Sequence, residues 1–337
     1  MLVGHGADSY SYDDIKLDFS SNVYPTKTNE ELINFLKDKL DIISDYPEAA
    51  ANSFSKKLEN FHNLQKKSVI VTNGAVEAFY LIANAYFGAT SLIYTPSFSE
   101  YEDACKANMH KIVFSDFNDL LIENIDSKLI WLANPNNPDG RIIECKLILN
   151  FLENNPDKIL VLDEAYMDFI DNDESVLNYI NDFKNLIIVK SFTKSFVLPG
   201  LRLGYICADN ILIDKLLKFK MPWSVNSIAI EAGKWILENF DKVSPDFLRL
   251  IQNSKNLQHE INKINGLDVI FSDCHYFLVK SEKFSASDLK QILADKHKIL
   301  IRDASNFRGL NEYYFRIASR SYEENSILIN VLRQIYE

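Results

Sequence analysis

The chain has 337 residues, 47% of them hydrophobic and 25% charged, with a formal net charge of −11 at pH 7. That length predicts about two domains, with cores large enough to need no disulfide or metal staple. The acidic balance argues against nucleic acid or an anionic membrane as the main partner, since both demand clustered Lys and Arg, but it leaves room for a local basic pocket that takes a small anion.

The N-terminal sequence MLVGHGADSYSYDD is neither basic nor apolar, and no run approaches the ~18 apolar residues of a membrane span. A cytoplasmic protein with no membrane partner is therefore expected. Residues 1–30 read as an arm over the site that packs with the C-terminal part, 31–215 as a large domain and 216–337 as a small one. Within the large domain, six short apolar runs alternate with helical segments: SVIVT (68–72), SLIYT (91–95), KIVFS (111–115), LIWLA (129–133), ILVLD (159–163) and LIIVK (186–190). Runs of Ile, Leu and Val of that length are strands buried on both faces, and their alternation with helices predicts βαβ units and a mostly parallel sheet. Helices are predicted at 75–87, 98–107, 145–154 and 174–180. Amphipathic stretches at 211–219 and 226–264 lead to strands at 275–280, 298–303 and 313–318 and a final helix from 322. Cys105, Cys145, Cys207 and Cys274 are scattered with no CxxC pair and read as reduced thiols rather than bridges or zinc ligands.

Ligands of open parallel sheets bind at the carboxyl ends of the strands. Five of these strands end in polar sets: Thr72-Asn73-Gly74, Pro96-Ser97-Phe98, the run NPNNP (134–138), Asp163-Glu164-Ala165-Tyr166 and Ser191-Phe192-Thr193-Lys194. Together they describe one site. Gly74 opens a helix, so the amides of Ala75, Val76 and Glu77 would face the sheet edge as an anion site. Ser191, Thr193 and Arg202 offer two hydroxyls and a guanidinium to the same anion. Lys194, held on that loop near Asp163, has what an amine needs to form a Schiff base with an aldehyde. Asp163, ending an apolar strand, needs a cationic partner such as a protonated pyridine nitrogen. Neither GxGxxG nor GxxxxGK[ST] is present, which disfavours a dinucleotide or NTP site.

The run SFTK (191–194) followed by PGLRLGY (199–205), with NPNNPDG (134–140) and DEAY (163–166) ahead of it, resembles the fold-type I, class I/II aminotransferase family of pyridoxal-phosphate enzymes. The resemblance implies an α/β fold with a large PLP-transferase domain and a smaller C-terminal α+β domain. It also implies pyridoxal 5'-phosphate as cofactor and no metal. Residue by residue, Lys194 matches the cofactor-bonding lysine and proton carrier, and Asp163 the partner of the pyridine nitrogen. Asn137 and Tyr166 match the partners of the ring hydroxyl, and Phe98 the stacked aromatic. Gly74, Ala75, Val76, Glu77, Ser191, Thr193 and Arg202 match the phosphate cup. Tyr46 matches a tyrosine that reaches the neighbouring cofactor across a homodimer, and Arg316 the arginine that grips the substrate carboxylate.

Two further segments narrow the resemblance. The arm, with Gly4-His5-Gly6 and LDFSSNVYP (17–25), and the loop IRDASNFRGL (301–310) are similar to threonine-phosphate decarboxylases of cobalamin biosynthesis, relatives of histidinol-phosphate aminotransferases. In either subfamily Arg302 would bind a substrate phosphate, with His5, Asn22 and Arg308 near the substrate. The chain departs from the pattern in Thr26-Lys27 after Pro25, where Leu-Gly is usual, and in NPDG for NPTG. The expectation is an enzyme acting on a small phosphorylated amino acid, first a threonine-phosphate decarboxylase and second a histidinol-phosphate or related aminotransferase. An inactive binding relative would have no reason to keep Lys194 together with Asp163, Tyr166 and Arg202.

Overall fold

The computed structural model describes residues 6, 8–117, 126–171 and 174–337. The six predicted runs form strands Val69–Thr72, Thr90–Thr95, Lys111–Asp116, Leu129–Ala133, Ile159–Asp163 and Leu186–Ser191. A seventh strand, Gly204–Ala208, was not predicted. It lies between Val69–Thr72 and Leu186–Ser191, antiparallel to both, while the neighbouring pairs in the rest of this seven-stranded sheet are parallel. Period-two alternation sends Leu160, Leu162, Leu186 and Ile188 into one apolar cluster and Ile159, Val161, Ile187 and Val189 into another. Helices Asn52–Phe61, Cys145–Asn154 and Ser227–Glu238 complete the first, and helices Gly74–Ala85, Glu100–Ala107 and Asn210–Leu217 the second. A sheet covered on both faces leaves only its strand ends open to a ligand.

The second sheet is four-stranded and antiparallel, in the order Arg302–Asp303, Tyr314–Ala318, Tyr276–Ser281, Leu267–Ile270. Helices Phe247–Asn262 and Tyr322–Tyr336 supply Leu257, Ile261, Leu328 and Leu332 to its core. The arm is stitched here: Leu17–Asp18 pairs in parallel with Ile299–Leu300, Phe19 is fully buried in this cluster, and Ala318 N donates to Phe19 O at 2.9 Å. No helix among the described residues is long and apolar enough to cross a membrane.

Three predicted elements differ from those observed. The stretch 226–264 is broken into Ser227–Glu238, Phe240–Val243 and Phe247–Asn262. Pro245, which has no N–H to give a helix, stands at the second break. The predicted helix at 174–180 is only a 3-10 turn, Leu177–Tyr179, and the strand at 298–303 is divided at Ile301.

The loop after Leu129–Ala133 ties the two sheets together. Tyr276 OH donates to Asn136 O at 2.9 Å, and Ser272 Oγ donates to Gly140 O at 3.3 Å. Gly140 has φ +70°, and a Cβ there would stand 2.0 Å from Ser272 Oγ and 2.7 Å from Tyr276 O. Gly140→Ala is therefore expected to cost at least ~2 kcal/mol from strain and overlap together. Denaturant unfolding should show a lowered midpoint; an unchanged midpoint would mean that the loop yields freely.

Candidate active site

A cavity of about 200 Å³ opens at the carboxyl ends of the parallel strands. Ala75 and Val76, in the first turn of Gly74–Ala85, form one wall; Gly74 and Glu77 flank them without lining it. Opposite, Leu186–Ser191 ends and the short helix Phe192–Ser195 begins, bringing Ser191, Thr193 and Lys194 to the cavity. Ser191 Oγ caps that turn by accepting from Thr193 N at 3.2 Å. Arg202, itself at φ +57°, donates from Nη1 to Pro199 O at 3.2 Å and lays its guanidinium against Gly74. A Cβ at Gly74, whose φ is +76°, would stand 2.6 Å from Arg202 Nη2, so only glycine admits the arginine. Two helix amides, two hydroxyls and a guanidinium thus share one end of the cavity.

Asp163 also lines it. Its Oδ2 accepts from Tyr101 OH at 2.6 Å and its Oδ1 from Ala165 N at 2.9 Å. Burial pushes this carboxyl up to about 6, even though Tyr101, Ala165 N and the charge of Lys194 all pull the other way. Phe98 and Tyr166 line the walls between, Phe98 edge-on to Tyr101 and Tyr166 edge-on to Tyr276. Lys194 Nζ stands 5.8 Å from the Tyr166 ring centre, and Lys194 O accepts from Tyr24 N of the arm at 2.9 Å.

The far end is cationic. Arg316 is buried and donates from Nη1 to Asn137 Oδ1 at 2.5 Å and from Nη2 to Ser20 O at 2.7 Å, both neutral acceptors, while its Nε has no partner among the described residues. Arg302 sits opposite Arg316 in the antiparallel register. Its Nη2 donates to Asn306 Oδ1 at 2.8 Å. Burial, with the charge of Arg316 beside it, pulls the Arg302 guanidinium down to about 10, so it remains charged at neutral pH. Asn137, Arg302, Asn306 and Arg316 line a smaller cavity of about 40 Å³ that shares Gly6 and Phe98 with the main one. Asn22 lines the main cavity, is 2% exposed, and neither Oδ1 nor Nδ2 finds a partner among the described residues. Its backbone is fixed from below by His275, whose ring nitrogen meets Asn22 O at 3.0 Å and whose ring stacks on Phe169. Burial pulls His275 down to about 3, so it is neutral.

Two sequence candidates lie elsewhere. Arg308 is drawn away from both cavities to Glu102, with Nη2 at 2.8 Å from Oε1, and packs 3.9 Å over the Phe114 ring. Tyr46 is 87% exposed, away from the cavity of its own chain, against Trp223. His5 lies outside the described residues.

The geometry also adds residues that the sequence had not singled out. Tyr101 sits two helical positions into Glu100–Ala107 yet bonds a carboxylate on another strand. Behind the lysine helix, Ser195 Oγ donates to Asp168 Oδ2 at 2.6 Å, and Lys190 Nζ meets Glu164 Oε2 at 3.2 Å. Burial pulls Lys190 down, but Glu164 and Asp168 outweigh it and hold its ammonium charged.

A model of the family described as aminotransferase class I and II matches residues 14–332. The crystal structure of L-threonine-O-3-phosphate decarboxylase from Porphyromonas gingivalis is similar with a TM-score of 0.93 and 36% identity, over 95% of this chain and 99% of that one. Histidinol-phosphate aminotransferase of Caldanaerobacter subterraneus subsp. tengcongensis is 30% identical over 98% of this chain and 96% of its own length. Threonine-phosphate decarboxylase of Salmonella typhimurium is 28% identical over 95% and 91%.

The Asp163 carboxyl predicts a pH-dependent stability. Its folded value of about 6 lies above the ~3.9 of an aspartate in an unfolded chain, so the folded state binds this proton more tightly. The stability it contributes is present below ~pH 4 and is lost as pH rises through about 6. Asp163→Asn should therefore melt higher than the ligand-free wild type at pH 8, by an amount equivalent to ~1–3 kcal/mol, and the gain should fade toward pH 4. A variant no more stable than wild type at pH 8 would contradict this.

Proposed function

We propose that this chain, which belongs to the aminotransferase class I and II family, is a pyridoxal-phosphate enzyme that decarboxylates a small phosphorylated amino acid, O-phosphothreonine first. The juxtaposition of Arg302 and Arg316, both buried and opposite each other beside the cavity of Lys194 and Asp163, supports this above all. A fork-shaped guanidinium pairs with one carboxylate or phosphate at a time. Two of them, in addition to Arg202 at the opposite end, suit a substrate with two anionic groups.

The residues present fit the cofactor. The Ala75 and Val76 amides, Ser191, Thr193 and the Arg202 guanidinium packed on Gly74 would hold its phosphate, where a Cβ would close the cradle. Asp163, held ready by Tyr101 and Ala165 N, would face the pyridinium nitrogen, whose charge offsets the cost of burying the carboxylate. With Asn137 Oδ1 committed to Arg316, its Nδ2 and the Tyr166 hydroxyl are the donors for the ring hydroxyl, and Phe98 would lie against the ring. Bound there, pyridoxal phosphate supplies an electron sink for the pair left on Cα when one of its bonds breaks.

The chain's residues determine what happens around that sink. Lys194 would hold the cofactor through its amine and would supply the proton that replaces the lost carboxyl group at Cα. Asp168 fixes Ser195, the residue next to that lysine, while Tyr24 N holds its carbonyl. Arg302 would take the substrate phosphate and Arg316, with its unpartnered Nε, the carboxylate. Asn22, with both amide atoms unpartnered, would contact the polar atoms of the substrate.

Incubation with O-phosphothreonine, with and without 2-oxoglutarate, tests this. Carbon dioxide and aminopropanol phosphate should form without a keto acid. Glutamate formed from histidinol phosphate would instead make the chain an aminotransferase, and equal rates on unphosphorylated amino acids would defeat both. Arg302→Ala should weaken the phosphorylated substrate by about tenfold to a hundredfold, the worth of a lost charge-assisted pair, and affect its unphosphorylated analogue far less.

A homodimer accompanies this proposal. Tyr46 stands exposed beside Trp223, with Ile43 and Met221 also largely exposed, as an apolar face that a second copy would cover. From there Tyr46 would reach the partner's cofactor phosphate. Sedimentation at micromolar concentration should give a dimer; a fully active monomer would refute it.

A further inference from the structure

Glu77 lies in the first turn of Gly74–Ala85, next in sequence to the two residues that line the phosphate end of the cavity. A carboxylate at a helix N-terminus is favourable in isolation, but here it shares that terminus with the dianion the site is proposed to hold. Its charge is met from another part of the chain. Lys220 Nζ donates to Glu77 Oε1 at 2.7 Å, Ser224 Oγ donates to Oε2 at 3.1 Å, and Asn73 N also donates to Oε2. Lys220 also bonds Ser224, which closes a ring of three side chains. The Lys220 side chain is 5% exposed, rare for a lysine, against 19% for Glu77. Neither residue lines the cavity.

We propose that Lys220 is a positioning residue for cofactor binding: by neutralising Glu77 it leaves the Ala75 and Val76 amides and Arg202 to the cofactor phosphate. The proposal rests on the pyridoxal-phosphate assignment and adds a residue, 26 positions after Lys194 in the chain, that acts through another side chain. An unneutralised Glu77 would repel the phosphate across the first turn of the helix, where a low effective dielectric keeps the interaction strong. The carboxylate would also lose a hydrogen bond that orients it toward Asn73 N. The effect is one of charge, so it has a sign that loss of packing alone would not reproduce.

The test is a charge cycle on the purified cofactor-free protein, read as the dissociation constant of pyridoxal phosphate from its absorbance and, separately, as the thermal shift given by inorganic phosphate. Lys220→Met should weaken pyridoxal phosphate about tenfold or more and diminish the shift with phosphate. Glu77→Gln should bind at least as tightly as wild type, and the double variant Lys220→Met/Glu77→Gln should return to within about threefold of wild type. A double variant as weak as Lys220→Met would overturn the proposal and leave Lys220 a packing residue. Wild-type binding with all variants alike would overturn it while leaving the cofactor assignment intact. A wild type that binds no pyridoxal phosphate would overturn both.

Discussion

The buried carboxylate of Asp163 is the constraint around which the site is built. It ends a strand covered on both faces and forms no ion pair among the described residues; its charge is supported by a phenol, one backbone amide and, at longer range, the charge of Lys194. Such a group is costly to keep ionised, and the raised pKa of the carboxyl is the measure of that cost. The expense makes sense in a protein that later receives a cation at the same point. The surroundings follow from it: Tyr101 must come from a separate helix to reach Oδ2, and Phe98 and Tyr166 line the cavity with it.

The opposite problem is solved at the two ends of the cavity. Arg302 and Arg316 are cations crowded together, and the crowding would be unfavourable without incoming anions. At the end where an anion is proposed to bind, Glu77 adds a negative charge, and Lys220 pairs with it. An acidic protein thus presents a locally positive, segmented cavity. On the proposed reading, an anion at each end and a cation facing the carboxylate between them would restrict the ligand.

Much of this was legible in the chain. The runs of Ile, Leu and Val predicted their strands because a strand buried on both faces has no polar positions to blur the pattern. The polar sets after those strands predicted the cavity because parallel sheets place all such ends on one edge. Gly204–Ala208 was not read as a strand, because its antiparallel insertion between Val69–Thr72 and Leu186–Ser191 depends on pairing across more than a hundred residues. Tyr101 was visible beside Phe98, but its reach to Asp163 depends on how a helix packs on a sheet. Arg308 looked like one more cation for the substrate; Glu102, distant in sequence, captures it. Lys220 gave no signal, being one lysine among many in a segment with no motif.

The arm gives the molecule an order of assembly. Leu17–Asp18 and Phe19 are made well before the groups that hold them, Ile299–Leu300 and Ala318. On a ribosome the central sheet can therefore condense while the arm has nowhere to dock. Ser20 cannot meet Arg316, nor Asn22 meet His275, until those partners have emerged. The arm residues that wall the cavity thus take their places only after residues that lie 253 and 296 positions further along the chain have been made.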